Sequence, residues 1–285
     1  MPYSTVGVVT GANKGIGLAI VRQLALRYHQ TAPEGRMLVY LTARDVSRGE
    51  AALEGLRADP ALREAKALGE HGGATDVRFH QLNIMDSGSV QALVDDLKAA
   101  HSEGVDFVVN NAGIAMDGFN ENVAKTTIKC NYYGTLKVTR ALLPLLKPRG
   151  RVVNVASTIG SLAPFSPALQ ARFRAASSVS NVSMLMEEFV DAVCRGRDAE
   201  EGWPSTAYGV SKAGVIGVTK ALAREEGAGG KEVVSCHPGY VNTDMTKGRG
   251  VRTPDEGAQT PVSLALGLLK GTPGGYWVDE KEVEW

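Results

Sequence analysis

A tyrosine and a lysine lie four residues apart in the stretch "AYGVSK", residues 207–212, just before an apolar, helix-compatible run. Residues four apart on a helix share one face, so the Tyr208 phenol and the Lys212 ammonium would be neighbours. One interpretation is a solvated surface pair. The other is that the ammonium favours the ionised form of the phenol and makes it a better acid. The rest of the sequence must decide between the two.

Three glycines lie in "TGANKGIG", residues 10–17, between an apolar run that predicts a strand and a helical pattern. Gly11 permits a tight turn, Gly15 lets the backbone approach a pyrophosphate, and Gly17 allows the helix to pack closely on the strand. The N-terminus of that helix offers free N–H groups and a positive dipole end to a phosphate. In this context the glycines predict dinucleotide binding, because a merely tight turn does not need all three.

The second predicted strand ends in "TARD", where sheets that bind NAD usually place an acid for the ribose 2′-hydroxyl. This strand ends instead in Ala43 followed by Arg44, and a guanidinium suits a 2′-phosphate. Lys14, inside the glycine-rich turn, can supply a second cation. Asp45 could either neutralise Arg44 or orient it. The sequence therefore predicts NADP(H) rather than NAD(H).

Two further predicted strands end in small or polar residues, "NNAG" at 110–113 and Ser157 in "VVNVAS". The carboxyl ends of parallel strands share the edge where an open α/β sheet binds ligands. The small residues and amides of 110–113 fit a backbone that lies close to a cofactor. Ser157, Tyr208 and Lys212 can converge near a nicotinamide at the same edge. This convergence favours the catalytic interpretation of the tyrosine and lysine.

Short apolar runs alternate with amphipathic segments along the 285 residues. Most runs are nearly continuous in apolar residues, which is typical of parallel strands covered on both faces. We expect an α/β, doubly wound parallel sheet (a Rossmann fold) of seven strands with helices on both faces, in one domain over 1–285. Residues 160–204 exceed an ordinary connection and predict a helical insertion. The expected strands are 5–11, 36–44, 77–83, 105–113, 151–157, 232–238 and 274–278, and the expected helices are 15–28, 47–68, 87–101, 121–146, 206–226 and 255–269.

Composition argues against several functions. The chain has 31 basic and 31 acidic residues and no long run of one sign, so no nucleic-acid or membrane-surface partner is expected. Its first residues predict no secretory signal, and no 18-residue apolar run predicts a membrane span. Three widely spaced cysteines predict reduced thiols in a cytoplasmic protein. The five histidines show no metal-ligand spacing, so no metal is expected.

Several motifs together resemble the short-chain dehydrogenase/reductase family along nearly the whole chain: "TGANKGIG", "NNAG", Asn131 in "KCNYYG", Ser157, "YGVSK" and "HPGYVNTDM". The insertion, the "ARD" strand tip and "VDEKEVEW" are similar, more narrowly, to the monomeric NADPH-dependent carbonyl reductases of the eukaryotic cytosol. The resemblance implies reduction of small-molecule ketones, aldehydes or quinones to alcohols. It also implies a monomer, because an insertion of this kind covers the surface through which many family members form tetramers.

The resemblance also implies roles for individual residues. Tyr208 would protonate the substrate carbonyl, Lys212 would hold the cofactor ribose and lower the pKa of Tyr208, and Ser157 would orient the carbonyl oxygen. Asn131 would anchor a water that relays protons to Lys212. The cofactor contacts would be Gly11, Asn13, Lys14, Gly15, Ile16, Gly17, Arg44, Asn83, Ile84, Asn111, Ala112, Gly113, Tyr208, Lys212, Pro238, Gly239, Val241, Asn242 and Thr243.

Two positions depart from the carbonyl reductase pattern. Asn83 stands where an acid is expected, but its side-chain carbonyl can still accept a hydrogen bond from the adenine amine. Tyr240 stands where related reductases often carry Trp, in a segment that would close over the nicotinamide. With Ser157 and Ile159 it would contact the substrate. Four apolar side chains could line the substrate pocket or pack equally well in the core: Met116, Phe119, Phe165 and Leu169.

Two other functions stay open. One is a dedicated biosynthetic ketoreductase that acts on a single polyketide- or terpenoid-like ketone. The other is a non-catalytic redox sensor that binds NADPH, although a sensor needs none of the proton-transfer groups. Cys236 and His237 could form a thiolate–imidazolium pair at the same sheet edge. Adjacent strand residues point to opposite faces, so we expect both to serve packing.

Overall fold

The computed structural model describes residues 3–32, 35–226 and 230–285. Its strands form one sheet in the order β3-β2-β1-β4-β5-β6-β7-β8. Neighbours from β3 to β7 are parallel, and β8 runs antiparallel to β7. The predicted doubly wound sheet is thus confirmed, with eight strands instead of seven. The strands are β1 Thr5–Val9, β2 Met37–Ala43, β3 Thr75–Gln81, β4 Val105–Asn110, β5 Leu146–Val155, β6 Glu232–His237, β7 Tyr276–Val278 and β8 Lys281–Val283.

Helices cover both faces of the sheet. Ile20 and Leu24 of α1 share one apolar cluster with Val262 of α10, whereas Leu93 of α4 and Val218 of α9 belong to the cluster on the other face. The helices are α1 Gly15–Thr31, α2 Val46–Ala58, α3 Pro60–Glu64, α4 Ser87–Ala100, α5 Glu121–Thr127, α6 Thr135–Leu142, α7 Pro167–Ala175, α8 Val179–Cys194, α9 Ala207–Glu226 and α10 Pro254–Ala265.

The strand order reverses between β1 and β4. The chain builds outward from β1 through β2 to β3 and then returns to add β4 on the other side of β1. Consecutive connections therefore diverge above the carboxyl ends of β1 and β4 and leave a crevice there, the usual ligand site of such sheets. The residues 10–17 and 110–113 that the sequence singled out follow these two strands.

One predicted helix was wrong in its continuity, and another changes its helix type along its length. The span 47–68 divides at Asp59 because Pro60 lacks an N–H to continue α2, and the Asp59 carboxylate caps α3 by accepting from Ala61 and Leu62. The span 121–146 stays helical as far as Leu145, as α5, a π-helical segment over Ile128–Gly134, α6 and a 3-10 turn, and Leu146 already begins β5.

The sequence did not predict β8. Its three residues are exposed and carry no run of apolar side chains, so the pattern that indicates a buried strand is missing. Asp279 and Glu280 form the turn between β7 and β8 with φ of 50° and 60°. Two successive left-handed residues are typical of a tight hairpin, but glycine or asparagine usually marks it. An acidic pair gave no such signal.

Helices α7 and α8 lie within residues 160–204. Each begins with a serine whose side chain accepts a hydrogen bond from the first turn, Ser166 for α7 and Ser178 for α8. Buried residues of α8, among them Val182 and Phe189, join the core on the α9 side of the sheet. We keep a single domain with a helical insertion over 160–204 as our proposal. Within the described ranges, no helix combines the length and the apolar character needed to cross a membrane.

Candidate cofactor cleft and catalytic site

A cavity of about 660 Å³ opens at the carboxyl ends of β1, β2 and β4. It reaches from the glycine-rich turn to the segment after β6. Three expected cofactor residues after β6 do not line it, namely Pro238, Gly239 and the buried Val241, and their contacts with the cofactor stay predictions. The cavity is lined by most of the expected cofactor residues: Gly11, Asn13, Lys14, Gly15, Ile16, Gly17, Arg44, Asn83, Ile84, Asn111, Ala112, Gly113, Asn242 and Thr243.

The glycine-rich turn is held by the segment after β4. Thr10 Oγ1 accepts hydrogen bonds from the backbone N–H groups of Asn111 and Ala112, each at 3.0 Å. The Asn111 amide donates in return to the carbonyls of Thr10 and Gly11, at 3.0 and 3.1 Å. A Cβ on Gly11, whose φ is +63°, would lie 2.8 Å from Ala112 Cα. The two motifs therefore form one unit, and the part played by Thr10 was missed in the sequence.

Helix α1 begins without a side-chain cap. Its N-cap is Lys14, its first turn carries no acid, and Gly15 enters the helix with φ of +55°. The first N–H groups of a helix lack partners within it and, with the dipole, favour an anion. The start of α1 thus offers donors to a phosphate. Seven other helices have a side-chain cap: Asp45 (α2), Asp59 (α3), Asp86 (α4), Asn120 (α5), Ser166 (α7), Ser178 (α8) and Thr253 (α10).

Three cationic side chains line the cavity, Lys14, Arg44 and Arg48. Asp45 caps α2 by accepting from Arg48 N at 2.9 Å, and its carboxylate lies 4.0 Å from Arg48 Nε. The carboxylate that could have neutralised Arg44 thus has a structural role in α2. Lys14 Nζ lies 2.6 Å from the Asp244 carboxylate, with side chains 60% and 78% exposed. Arg48 was missed in the sequence, although it lies only four residues after Arg44, in the first turn of α2.

Asn83 lies where the adenine was expected. Its side-chain Oδ1 accepts a hydrogen bond from Met85 N at 3.2 Å, and its own N–H donates to Ser89 Oγ at 2.9 Å. An amide oxygen has two lone pairs, so one remains for a further donor. The neighbouring Ile84 is 7% exposed. The residue can therefore still accept a hydrogen bond from a ligand while it shapes the start of α4.

Ser157, Tyr208 and Lys212 come together beside the cleft. Ser157 follows β5 and hydrogen-bonds Tyr208. Lys212 is only 6% exposed, and its Nζ donates to the Val155 carbonyl at 2.7 Å. The same Nζ lies 5.6 Å from the centroid of the Tyr208 ring. The hydroxyl, phenol and ammonium thus share one largely buried site at the end of β5.

Asn131 lies in the π-helical segment and joins three elements. Its Oδ1 accepts from Ile114 N, while its Nδ2 donates to Ile114 O and to Ser211 Oγ, all within 2.8–3.0 Å. A Cβ on Gly113 would lie 3.1 Å from this Oδ1 and 3.8 Å from Lys212 Nζ. Because both amide hydrogens are used, a water at Asn131 would have to donate to one of its oxygens.

Burial sets the charge of the two titratable groups. It raises the pKa of Tyr208 to about 12, and the hydrogen bond from Ser157 only partly opposes this. It lowers the pKa of Lys212 to about 8, because a buried ammonium loses its hydration. The pKa of Tyr208 is therefore raised overall rather than lowered, and a lowering contribution from Lys212 stays a prediction. Desolvation is the largest cause of the shift, and the Lys212 ammonium donates its hydrogen bond to the Val155 carbonyl.

Two predicted substrate contacts are open to solvent. Ile159 is 57% exposed and Tyr240 is 49% exposed. Ile159 belongs to the 3-10 turn that directly follows Ser157, and Tyr240 belongs to the segment after β6. Met116, in the segment after β4, is also exposed. Contact with a substrate stays a prediction for all three.

Core packing explains the other three apolar candidates. Phe165 and Leu169 are buried, and the Phe165 ring meets Trp203 edge to face with centroids 6.1 Å apart. Phe119 is partly buried against the same cluster, 6.3 Å from the Phe189 ring. The aromatic side chains of the insertion thus form part of the core on the α9 side of the sheet, and Phe119 packs against them.

Cys236 and His237 are both uncharged near neutral pH. Burial raises the pKa of the Cys236 thiol to about 12 and lowers the pKa of His237 to about 4, with Arg252 adding to the second shift. Thr158 N donates to the His237 ring at 3.3 Å. This fits the packing interpretation rather than an ion pair. Across the described residues, no cluster of three histidine, cysteine or acidic side chains could hold a metal ion.

The model of the family described as short chain dehydrogenase matches residues 5–169 and 196–252. This chain belongs to that family. As a short-chain dehydrogenase it departs from the family model at 170–195, within the insertion, but its curated relatives span the insertion as well. It is 42% identical to carbonyl reductase 1 (NADPH) of Homo sapiens over 98% of this chain and 97% of that protein. It is 41% identical to carbonyl reductase 3 (NADPH) of Rattus norvegicus over 99% and 98%.

A solved structure extends the likeness to three dimensions. The short-chain dehydrogenase described here superimposes on salutaridine reductase from Papaver somniferum with a TM-score of 0.81 and 28% identity. The match covers 96% of this chain and 99% of that one. The insertion is therefore part of a fold arrangement that this chain and a solved reductase share.

Proposed function

We propose that this protein reduces small-molecule ketones, aldehydes or quinones to alcohols with NADPH. The observation that carries the proposal is the largely buried cluster of Ser157, Tyr208 and Lys212 beside a cleft that is lined by three cationic side chains. The curated relatives that are named NADPH carbonyl reductases, at about 40% identity over nearly the whole chain, support the same activity.

NADPH fits the cleft. The uncapped start of α1 and the close approach at Gly15 suit the pyrophosphate, and Arg44, Arg48 and Lys14 suit a 2′-phosphate. A Cβ on Gly15 would lie 3.2 Å from Thr243 Cγ2, and the φ of +55° would strain any larger residue there. When bound, NADPH would supply the hydride. We propose that Asn83 and Ile84 flank the adenine.

Tyr208 would protonate the carbonyl oxygen of the substrate. With a pKa of about 12 it carries its proton at neutral pH, and it remains a stronger acid than an alcohol. Ser157 Oγ, which already hydrogen-bonds Tyr208, would donate to the same carbonyl oxygen and orient it. Tyr240 and Ile159 would contact the remainder of the substrate from the exposed side.

Lys212 and Asn131 would support this proton transfer. Lys212 keeps its charge below a pH of about 8 and would hold the ribose hydroxyls of the cofactor. Asn131 ties the segment after β4 to α9 through Ile114 and Ser211. It therefore fixes the distance between the cleft wall and Lys212. A water on an Asn131 oxygen would complete a proton path to Lys212.

The first test is turnover of NADPH and, in parallel, NADH with a quinone, an aromatic aldehyde, an α-diketone, isatin and an aliphatic ketone. We expect broad turnover with NADPH and little with NADH. Tight NADPH binding without turnover of any of these carbonyl compounds would favour a ketoreductase that acts on one biosynthetic ketone. NADPH-dependent binding of a partner without turnover of any ketone would favour a sensor.

We also propose a monomer in the cytoplasm. Helix α8 packs on α9, where a Cβ on Gly214 would lie 2.5 Å from Met186 Sδ. The insertion thus covers a helical face that many family members use for tetramer formation. Light scattering after size-exclusion chromatography should give the mass of one chain, and a stable dimer or tetramer would contradict the proposal. The free Cys130, Cys194 and Cys236 support a reducing compartment, which cell fractionation would check.

A further inference from the structure

Trp285 contacts the catalytic region although it lies far from it in sequence. Its indole Nε1 donates a hydrogen bond to the Gly160 carbonyl at 2.8 Å. Gly160 ends the 3-10 turn Thr158–Gly160, which Ser157 caps by accepting from Ile159 N at 3.3 Å. The indole therefore hydrogen-bonds the last residue of a turn whose N-cap is Ser157.

The same turn packs directly on α9. A Cβ on Gly160 would lie 2.7 Å from the carbonyl carbon of Lys212, so the two backbones are in close contact. The turn therefore lies between Ser157 and the backbone of Lys212. If it shifted, the distance between these two members of the catalytic cluster would change.

The Trp285 ring is itself fixed by three neighbours. It packs edge to face on Phe173 of α7, with centroids 5.9 Å apart and an interplanar angle of 83°. It also packs on a small buried cluster that includes Ala156 and Val215. A Cβ on Gly217 of α9 would lie 3.3 Å from Trp285 Cη2, so the glycine leaves the room that the ring fills.

We propose that Trp285 is a positioning residue for the reduction. Its N–H donates to the Gly160 carbonyl, and its ring packs the turn Thr158–Gly160 against α9. Ser157 and Tyr208 are thereby held so that both face the carbonyl oxygen of the substrate. The inference rests on the proposed function for its kinetic consequence. Its structural part, an ordered turn that depends on the indole N–H, does not. Buried indole N–H groups usually have a partner, and this one orders a loop beside the reacting groups.

The test is Trp285→Phe, which keeps an apolar ring but removes the N–H donor. We expect kcat to fall about tenfold, because small displacements of catalytic groups are costly, while the Kd for NADPH stays within twofold. The matched control is Trp203→Phe. Trp203 packs on the same Phe173 ring, at 6.2 Å, but lies within the insertion. The control should keep its kcat.

A double-mutant cycle with Ser157→Ala separates positioning from general packing. If Trp285 acts through the Ser157 turn, Trp285→Phe should cost little further activity in the Ser157→Ala background. Additive losses, or equal losses in Trp285→Phe and Trp203→Phe, would overturn the proposal. Should Trp285→Phe not fold, Gly217→Ala displaces the ring from the α9 side and should lower kcat in the same direction.

Amide hydrogen exchange gives a readout that needs no turnover. Peptides that cover 157–162 should exchange faster in Trp285→Phe and at the wild-type rate in Trp203→Phe. Unchanged exchange in Trp285→Phe would overturn the inference whatever the kinetics. If the wild-type protein reduces no carbonyl compound, the proposed function fails while the exchange result still decides whether Trp285 orders the turn.

Discussion

The two ends of the candidate site, the cofactor cleft and the Ser157, Tyr208 and Lys212 cluster beside it, use lysine in opposite ways. Lys14 is 60% exposed and pairs with an exposed carboxylate, that of Asp244. Lys212 is 6% exposed, donates to a backbone carbonyl and has a pKa lowered to about 8. Water and salt screen the charge of Lys14, so its attraction for an anion depends on ionic strength. The charge of Lys212 acts in a site from which water is largely excluded, where electrostatic interactions are stronger. The comparison supports our proposal that one end selects the cofactor by charge while the other carries out the proton transfer.

The largest expected effect comes from removing the phenol at the buried end. Tyr208→Phe should lower kcat by about 10³-fold, because loss of a general acid typically costs between 10²- and 10⁴-fold. NADPH binding, measured by fluorescence titration, should be unchanged. The control is Tyr40→Phe, which removes a phenol that hydrogen-bonds His101 at 2.8 Å in the sheet. Full activity of Tyr208→Phe would show that the buried end is not the catalytic one.

The exposed end should respond through cofactor affinity. Arg44→Ala should raise the KM for NADPH about 10- to 100-fold, because it removes a charge-assisted hydrogen bond to the 2′-phosphate, and should leave the KM for NADH unchanged. The effect should shrink as salt rises. Arg174→Ala, at an exposed arginine of α7, is the control. An equal loss with both cofactors would mean that Arg44 does not read the 2′-phosphate.

The pH dependence of kcat/KM for NADPH reports the free enzyme and so the buried lysine. The active form needs Lys212 protonated, and this form is present below its pKa of about 8 and lost as the pH rises through it. Tyr208 keeps its proton over this range because its pKa is about 12. The rate should therefore be level near pH 7 and about tenfold lower at pH 9. A midpoint that moves strongly with salt would contradict the burial of Lys212.

The smallest expected effect tests the exposed ion pair. Asp244→Asn should free Lys14 for the 2′-phosphate and tighten NADPH binding about twofold at low salt, since exposed pairs are weak. High salt should abolish the gain. Asp117→Asn is the matched control, because it releases Lys247 from an exposed pair at 2.8 Å on the other side of the segment after β6. Equal gains in the two variants would indicate a general charge effect.

The sequence by itself determined the features that depend on short spacing. The three glycines of 10–17, the Arg44 strand tip and the four-residue interval from Tyr208 to Lys212 are local, because backbone geometry converts each spacing directly into position. The continuous apolar runs likewise determined the parallel sheet and the faces that its helices cover. Each of these interpretations needed only a few neighbouring residues.

Only the tertiary structure decided the properties that arise when distant segments meet. The bonds of Thr10 to the segment after β4 and of Trp285 to Gly160 join residues about a hundred or more positions apart, which no local pattern encodes. The pKa of Tyr208 rose rather than fell because its value depends on how much water the surrounding elements exclude. Desolvation is a property of the whole packed site. For that reason the sequence could name the proposed acid and its lysine but not the pKa of either group.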